Sequence, residues 1–456
     1  MKIVIVGDGK VGSTIANQLS LEGHDVIVID RNPSVLTNAG NTMDIFCIEG
    51  NGATAYVLRD AGVKNADILI AVTSADEVNM LCCLLGKKLG AKNTIARVRN
   101  PEYFAQMNLI KDELGLSMAV NPELAAATEI SRLLRFPSAI KIEPFARGRV
   151  ELVELKIPAH SPLNGMPLWA IYKEFQVKIL ICAVQREDEV VIPSGDFVLK
   201  SGDKINITAS HLEIARFFRA IGIFRSSVKS VMIIGGGRIA YYLAKELNAI
   251  HVKVKIIERD LKRCEYLCEV LPDSVIIHGD GTDKELLHEE GLEKTDAFVT
   301  LTGMDEENII TALYAKEKKV SKVIAKINKI SFHEILDNLN IDSFISPKTI
   351  AAQNIVRYVR AMKNSERSNN VVTLHTLIND QVEAVEFQVK EDSPIVGIPL
   401  KDYNRKDGLI VAAIIRGTQI IIPSGKDAIE KGDNVVIVTT KKHLTDINEI
   451  QEYYGE

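Results

Sequence analysis

Lys2-Ile3-Val4-Ile5-Val6-Gly7-Asp8-Gly9-Lys10-Val11-Gly12 runs from an apolar β-type stretch through a glycine-spaced turn into a helix starting near Lys10. In such a strand–turn–helix unit Gly7 permits the tight turn, Gly9 lets the backbone approach a pyrophosphate, and Gly12 lets the helix pack against the sheet. A phosphate placed there meets the amides and the positive dipole end of the helix. Asp30 ends the next strand, where its carboxylate can accept hydrogen bonds from both hydroxyls of an adenosine ribose and would repel a 2′-phosphate. This favours NAD(H), or an adenine nucleotide such as ATP, over NADP(H); Arg31 beside it can tolerate a 2′-phosphate or lie over adenine.

The pattern recurs. Gly235-Gly236-Gly237-Arg238-Ile239-Ala240 follows the apolar run Val231 to Ile234, and Glu258 stands where Asp30 does. Ala240 replaces the third glycine at a position that needs only a small side chain. Arg238 lies inside the loop within reach of a phosphate oxygen, which points to a more highly charged ligand in the second copy. A single glycine turn is often an ordinary β-to-α connection, but two copies with matched acidic residues describe a chain that handles a nucleotide in duplicate.

Outward from the loops, strands are expected near 2–6, 25–30, 45–49, 68–73, 94–99 and 117–120, with helices between them, one starting near Glu77. The second copy repeats the plan at Val231–Ile234, Val252–Glu258, Ser274–His278, Ala297–Thr302 and Val323–Ile327. Each copy closes with a helix announced by a capping residue and proline: Asn121-Pro122 before Glu123 to Arg135, and Ser346-Pro347 before Lys348 to Met362. These helices are expected to pack across an interface between the copies. Behind each come short alternating strands with repeated turns, Pro193-Ser194-Gly195 against Pro423-Ser424-Gly425 and Gly202-Asp203 against Gly432-Asp433. Polar junctions are expected near Lys141 to Gly148, Arg225 to Ser230 and Lys363 to Asn370. The expected fold is α/β: two Rossmann-like, doubly wound parallel-sheet lobes at 1–138 and 228–365, each followed by a small α+β lobe at 141–222 and 371–456.

A second layer of site candidates follows later strands. Gly50-Asn51-Gly52-Ala53-Thr54 matches Gly279-Asp280-Gly281-Thr282, and Thr73-Ser74-Ala75-Asp76 matches Thr302-Gly303-Met304-Asp305, all at strand C-termini. Asn51 and Asp280 suit hydrogen bonding to adenine, Thr73 and Thr302 are expected to border the phosphates, and Ser74 is a further candidate contact; Asp76 and Asp305 are as well read as helix caps. Arg97 and Lys326 put one cation in each copy near a ligand phosphate, or stand as solvated surface charges.

Composition narrows the function. A net charge of −5 gives no basic field for nucleic acid. No apolar run reaches the roughly 18 residues a bilayer crossing needs, so a membrane role must come through a partner. Six cysteines without a paired C-x-x-C suit a reducing cytoplasm. Cys264 and Cys268 could supply only half a metal site, and no metal is expected.

The whole chain resembles the tandem RCK (KTN) family of peripheral regulatory subunits of Trk-type potassium-uptake systems. The resemblance rests on Lys2 to Gly12, Asp30, Gly50 to Thr54, Thr73 to Asn79, their second-copy counterparts and the two repeated turns. It implies a cytoplasmic nucleotide-binding regulator, peripheral on the inner face of the membrane, that gates a potassium-translocating subunit. It also implies NAD(H) or ATP/ADP as ligands and a homo-oligomer, dimer or tetramer, forming an RCK ring. The ligand residues it implies are Gly7, Gly9, Gly12, Asp30, Thr73 and Arg97, then Gly235, Gly237, Arg238, Glu258 and Thr302. Asn51 departs from the aspartate usual in the family's Gly-Asp-x-Thr stretch, whereas Asp280 keeps it. An NAD-dependent oxidoreductase would share the glycine loop, but it needs a substrate domain with a positioned acid or base, and here the remainder is a second nucleotide lobe and two small modules. A DNA-binding regulator would need a basic recognition helix that neither module supplies.

Overall fold

A computed structural model describes all residues except 137, 224–227, 329–338, 340, 368–370, 379–380, 390–392, 404–407, 441–443, 445 and 451–456. The first lobe alternates β1 (Lys2–Val6), α1 (Lys10–Leu21), β2 (Asp25–Asp30), α2 (Pro33–Thr42), β3 (Phe46–Glu49) and α3 (Ala55–Asp60). It continues through β4 (Ile68–Ala71), α4 (Asp76–Leu89), β5 (Asn93–Arg97), α5 (Pro101–Ile110), β6 (Met118–Val120) and α6 (Pro122–Arg135). The strands lie parallel in the order β3-β2-β1-β4-β5-β6, with Val4 opposite Ile27 on one side and Leu69 on the other. Ile3, Val4, Ile5 and Ile68 to Ala71 are fully buried, as in a parallel sheet covered on both faces. Strand order reverses at β1, so a crevice opens beyond the carboxyl ends of β1 and β4, the place where open α/β sheets take ligands.

The first small lobe follows with β7 (Lys141–Phe145), β8 (Val150–Lys156), α7 (Leu168–Phe175), β9 (Leu180–Arg186), β10 (Glu189–Val191), β11 (Lys204–Ala209) and α8 (His211–Ala220). The second parallel lobe has β12 (Ser230–Ile234), α9 (Arg238–Asn248), β13 (Lys253–Glu258), α10 (Leu261–Val270), β14 (Ser274–His278) and α11 (Lys284–Glu289). Then come β15 (Ala297–Thr300), α12 (Asp305–Glu317), β16 (Lys322–Lys326), β17 (Ser343–Ile345) and α13 (Pro347–Arg367). Its order, β14-β13-β12-β15-β16-β17, copies the first. The three-residue β17 is a strand the sequence pattern did not reveal. The last lobe is β18 (Val371–Leu377), β19 (Val382–Gln388), β20 (Leu409–Arg416), β21 (Gln419–Ile421) and β22 (Asn434–Thr439). The two small sheets are antiparallel and share one plan, β10-β9-β11-β8-β7 and β18-β19-β22-β20-β21.

The proline-marked helices begin as expected. Asn121 Oδ1 accepts from the amides of Glu123 (3.1 Å) and Leu124 (3.0 Å), and Ser346 Oγ from the amide of Thr349 (3.5 Å). Two expected junctions are not linkers: Lys141 to Phe145 is β7, and α13 runs on through Arg367. The remaining stretches at 225–227 and 368–370 lie outside the described residues. The Pro-Ser-Gly turns do not join two strands either. Each follows a short strand and enters a loop closed by a single bridge, Pro167 to Val198 in one lobe and Pro399 to Ala428 in the other. The Gly-Asp turns carry more than a change of direction, since Asp203 and Asp433 are buried and take Arg186 and Arg416 as two-pronged partners at 2.7–3.0 Å.

The chain divides into two compact units, Met1–Ser131 with Val228–Val359 and Arg132–Ser227 with Arg360–Glu456. Within the first, the lobes meet along α6 and α9: Thr128 Oγ1 donates to Glu246 Oε1 at 2.6 Å, and Asn121 Nδ2 to the Tyr242 hydroxyl at 3.0 Å. Within the second, both small sheets share a core in which Leu152, Cys182 and Ala183 pack with Ala384, Ala413 and Val436. Among the described residues no helix is long and apolar enough to cross a membrane.

Candidate nucleotide-binding site

A cavity of about 510 Å³ occupies the first-lobe crevice. Gly7, Gly9, Lys10, Val11, Asp30, Arg31, Asn51, Thr73, Ser74 and Arg97 line it. Asp8 and Gly12 do not; they shape the loop from behind. Gly7 holds φ at +99°, a left-handed conformation that disfavours any side chain, and a Cβ at Gly12 would stand 1.9 Å from the Gly7 carbonyl oxygen. A Cβ at Gly9 would meet nothing within 4 Å, so that position opens onto the cavity. Gly9 is the N-cap of α1 and provides no side-chain acceptor, and the first turn of α1 carries no acidic residue. Its leading amides are therefore turned to an incoming anion.

Asp30 organises the loop as well as facing the cavity. Its Oδ2 accepts from the Asp8 amide at 2.7 Å and its Oδ1 from the Asn32 amide at 2.9 Å, leaving further lone pairs on each oxygen for hydroxyl donors. Asp8 itself is buried, and its Oδ1 finds no hydrogen-bond partner among the described residues. Burial, and then the neighbouring Asp30 charge, push its carboxyl up to about 6.

Thr73 is held by a residue to which sequence reasoning assigned no role. Fully buried Asn79 accepts through Oδ1 from the Thr73 amide (2.8 Å) and hydroxyl (2.7 Å) and donates through Nδ2 to the carbonyls of Thr73 and Arg97. The end of β4, the end of β5 and α4 are thereby tied at one point. Arg97 closes the same knot by donating from its guanidinium to the Thr73 carbonyl, so it is a half-buried cation at the cavity wall rather than a solvated one. Asn51 folds back on its own turn, its Oδ1 accepting from the Ala53 amide at 3.1 Å. The capping reading of Asp76 and Asp305 is corrected. Each is the first residue inside its helix, preceded by a cap residue without a side-chain bond, and its carboxylate accepts instead from the loop after the fifth strand. Asp76 takes the amides of Arg99 and Asn100, and Asp305 that of Asn328.

The second lobe repeats these contacts. Gly235 holds φ at +93°, Gly237 is open, and Ala240 is packed with its methyl fully buried. Glu258 accepts from the Gly236 amide at 2.6 Å and the Asp260 amide at 2.8 Å. Arg238 is the first residue of α9, the place Lys10 has in α1. Asp280 Oδ1 accepts from the amide and hydroxyl of Thr282. Thr302 is gripped by Asn308, which reaches on to the Lys326 carbonyl, while Lys326 Nζ donates to the Leu301 carbonyl at 3.2 Å. A repeat signal did exist for the asparagines, since each follows its threonine at the same distance in the sequence. None existed for Lys348. It belongs to α13 of the second lobe, yet it lines the first-lobe cavity.

Comparison with known proteins places these features in company. The TrkA-N domain model matches residues 3–122 and 231–347, and the TrkA-C domain model residues 152–222 and 384–451. The chain is 34% identical over 451 residues to a Trk system potassium uptake protein TrkA homolog of Archaeoglobus fulgidus, spanning 99% of this chain and 100% of that one. It is 33% identical over 457 residues to the Trk system potassium uptake protein TrkA of Halomonas elongata, spanning 99% and 98%. Among solved structures, a GsuK channel bound to NAD aligns with a TM-score of 0.62 at 18% identity, over 97% of this chain and 77% of that one, a likeness of fold.

Proposed function

This chain belongs to the TrkA family, and on that premise we propose that it is a cytoplasmic regulatory subunit that gates a Trk-type potassium-translocating membrane partner in response to NAD(H) or ATP/ADP. The observation that carries the reading is the first-lobe cavity itself, a crevice at the strand-order reversal walled by an open glycine, a helix N-terminus and the Asp30 carboxylate. In this proposal the diphosphate rests on the Gly9–Lys10 backbone, the ribose on Asp30, and the adenine beside Asn51, with the equivalent second-lobe set around Gly237, Glu258 and Asp280. Four domains, 1–138, 141–222, 228–365 and 371–456, would form the protomer, and two or four protomers a ring at the membrane's inner face. A coupling of about 1–3 kcal/mol between ligand and ring conformation would shift gating roughly 5- to 150-fold with no bond made or broken.

The oxidoreductase alternative is disfavoured by the charged side chains around the cavity. They are Asp30 and the cations Lys10, Arg31, Arg97 and Lys348, a set suited to holding phosphates rather than to moving a proton beside a nicotinamide. Isothermal titration of the full chain with NADH, NAD, ATP and ADP tests the reading. Asp30→Ala is expected to weaken binding about tenfold or more at the first site and Glu258→Ala at the second, with potassium-uptake control blunted in cells. Nucleotide responses identical to the parent in both variants, or NADH oxidation by a keto acid that depends on Asp30, would overturn it.

A further inference from the structure

Two helix starts meet at the first-lobe cavity. Lys10 opens α1 of the first lobe and Lys348 is the second residue of α13 of the second, and both line the same space with Arg97. Neither first turn contains an acidic residue. Lys348 enters none of the ion pairs formed among the described residues. Burial, and then the nearby Lys10 ammonium, pull its own ammonium down to about 8, with Lys326 adding to the effect and the Asp305 carboxylate opposing it only in part. Like charges held this close in a half-enclosed space repel, and an anion between them removes the penalty.

The corresponding position in the other half has opposite charge. Asn121-Pro122-Glu123 matches Ser346-Pro347-Lys348, so Glu123 is to α6 what Lys348 is to α13. Glu123 is buried and paired with Arg99, and its charge reaches Lys326 of the second lobe, whose ammonium burial holds below the ordinary lysine range against the pull of Asp305 and Glu123. Each lobe thus extends the second residue of its closing helix toward the other, an ammonium in one direction and a carboxylate in the other. Arg238 does not set the two sites apart, because Lys10 holds the same place in the first loop. The two sites differ in charge at two matched places, Lys348 against Glu123 and Asn51 against Asp280.

Building on the nucleotide reading above, we propose that Lys348 is a specificity-determining residue of the first-lobe site, supplied by the second lobe to grip the terminal phosphate of a nucleoside triphosphate between itself and Lys10. A ligand ending in a diphosphate fills the loop without reaching it. The first site is therefore the triphosphate-selective one, and its occupancy is felt directly by α13 of the other lobe.

The test is calorimetric titration of the full chain with ATP and with ADP for the parent, Lys348→Met, Lys348→Arg and Asp30→Ala. Lys348→Met keeps most of the side chain's bulk without its charge. It is expected to lower ATP affinity about tenfold or more while ADP affinity changes less than about twofold, and Lys348→Arg is expected to preserve the preference for ATP. The unliganded melting temperature of Lys348→Met should equal or exceed the parent's, since a repulsion has been removed; a fall alongside equal losses of ATP and ADP would mark a purely structural residue and overturn the proposal. ATP affinity unchanged in Lys348→Met would overturn it too, and in both cases loss of ADP and ATP binding in Asp30→Ala would leave the nucleotide reading standing. A parent chain that binds neither nucleotide overturns both.

Discussion

At the residue scale the two glycines of the first loop have separable roles. A methyl group at Gly12 would collide with the Gly7 carbonyl, forcing α1 away from β1, whereas one at Gly9 projects into open space. Gly12→Ala is expected to cost about 3 kcal/mol of stability in denaturant titration. Gly9→Ala should cost no more than about 1 kcal/mol yet reduce nucleotide affinity at least about tenfold, because the methyl occupies the path of the phosphates. Equal destabilisation by both would contradict the placement of the loop. Asp8 offers a pH test at the same scale. A carboxyl whose folded value is raised to about 6 from an ordinary 3.8 binds its proton more tightly in the folded chain, so stability falls as pH rises through that window and stays reduced above it. Asp8→Asn should therefore melt higher than the parent at pH 7.5, by a few degrees on the order expected for about 1 kcal/mol, and lose that advantage near pH 4. Melting curves at the two pH values decide it.

At the scale of elements, what holds each lobe's crevice in shape is the asparagine that joins two strand ends to a helix. Asn79→Ala leaves the Thr73 amide and the Arg97 carbonyl without partners in a fully buried place, and a loss of about 3 kcal/mol with weakened nucleotide binding is expected from denaturation and calorimetry. A loss below about 1 kcal/mol would mean that water enters and replaces the side chain. The alternation of apolar runs and helical stretches made both parallel sheets readable before any coordinates, because buried parallel strands are continuous apolar segments bounded by turn residues. Asp30 and Glu258 were readable for the same reason, since a carboxylate ending such a run has few other roles. β17 escaped notice although the equally short β6 was expected near 117–120, since three residues carry no period of their own. The loop bonds of Asp76 and Asp305 escaped because an acidic residue at a helix start looks the same in sequence whether it caps its own helix or holds a distant loop. Lys348 escaped because its significance depends on which lobe it faces, and spacing along one chain carries no such information.

At the scale of the molecule, like pairs with like: the two nucleotide lobes contribute to one compact unit and the two small lobes to the other. Thr128 and Glu246 give the first pairing a measurable strength. A double-mutant cycle of Thr128→Val with Glu246→Ala should return a coupling of about 1–2 kcal/mol on unfolding, as a hydroxyl–carboxylate bond of 2.6 Å warrants, and a value indistinguishable from zero would place the bond outside the solution structure. Because both nucleotide lobes sit on a single polypeptide, the pair escapes a rule that binds every two-fold assembly of identical subunits, where a substitution appears on both sides of the axis at once. Glu123 facing one way and Lys348 the other is a division of labour that a homodimer cannot encode. One chain can thereby carry an ammonium at one closing helix and a carboxylate at its counterpart.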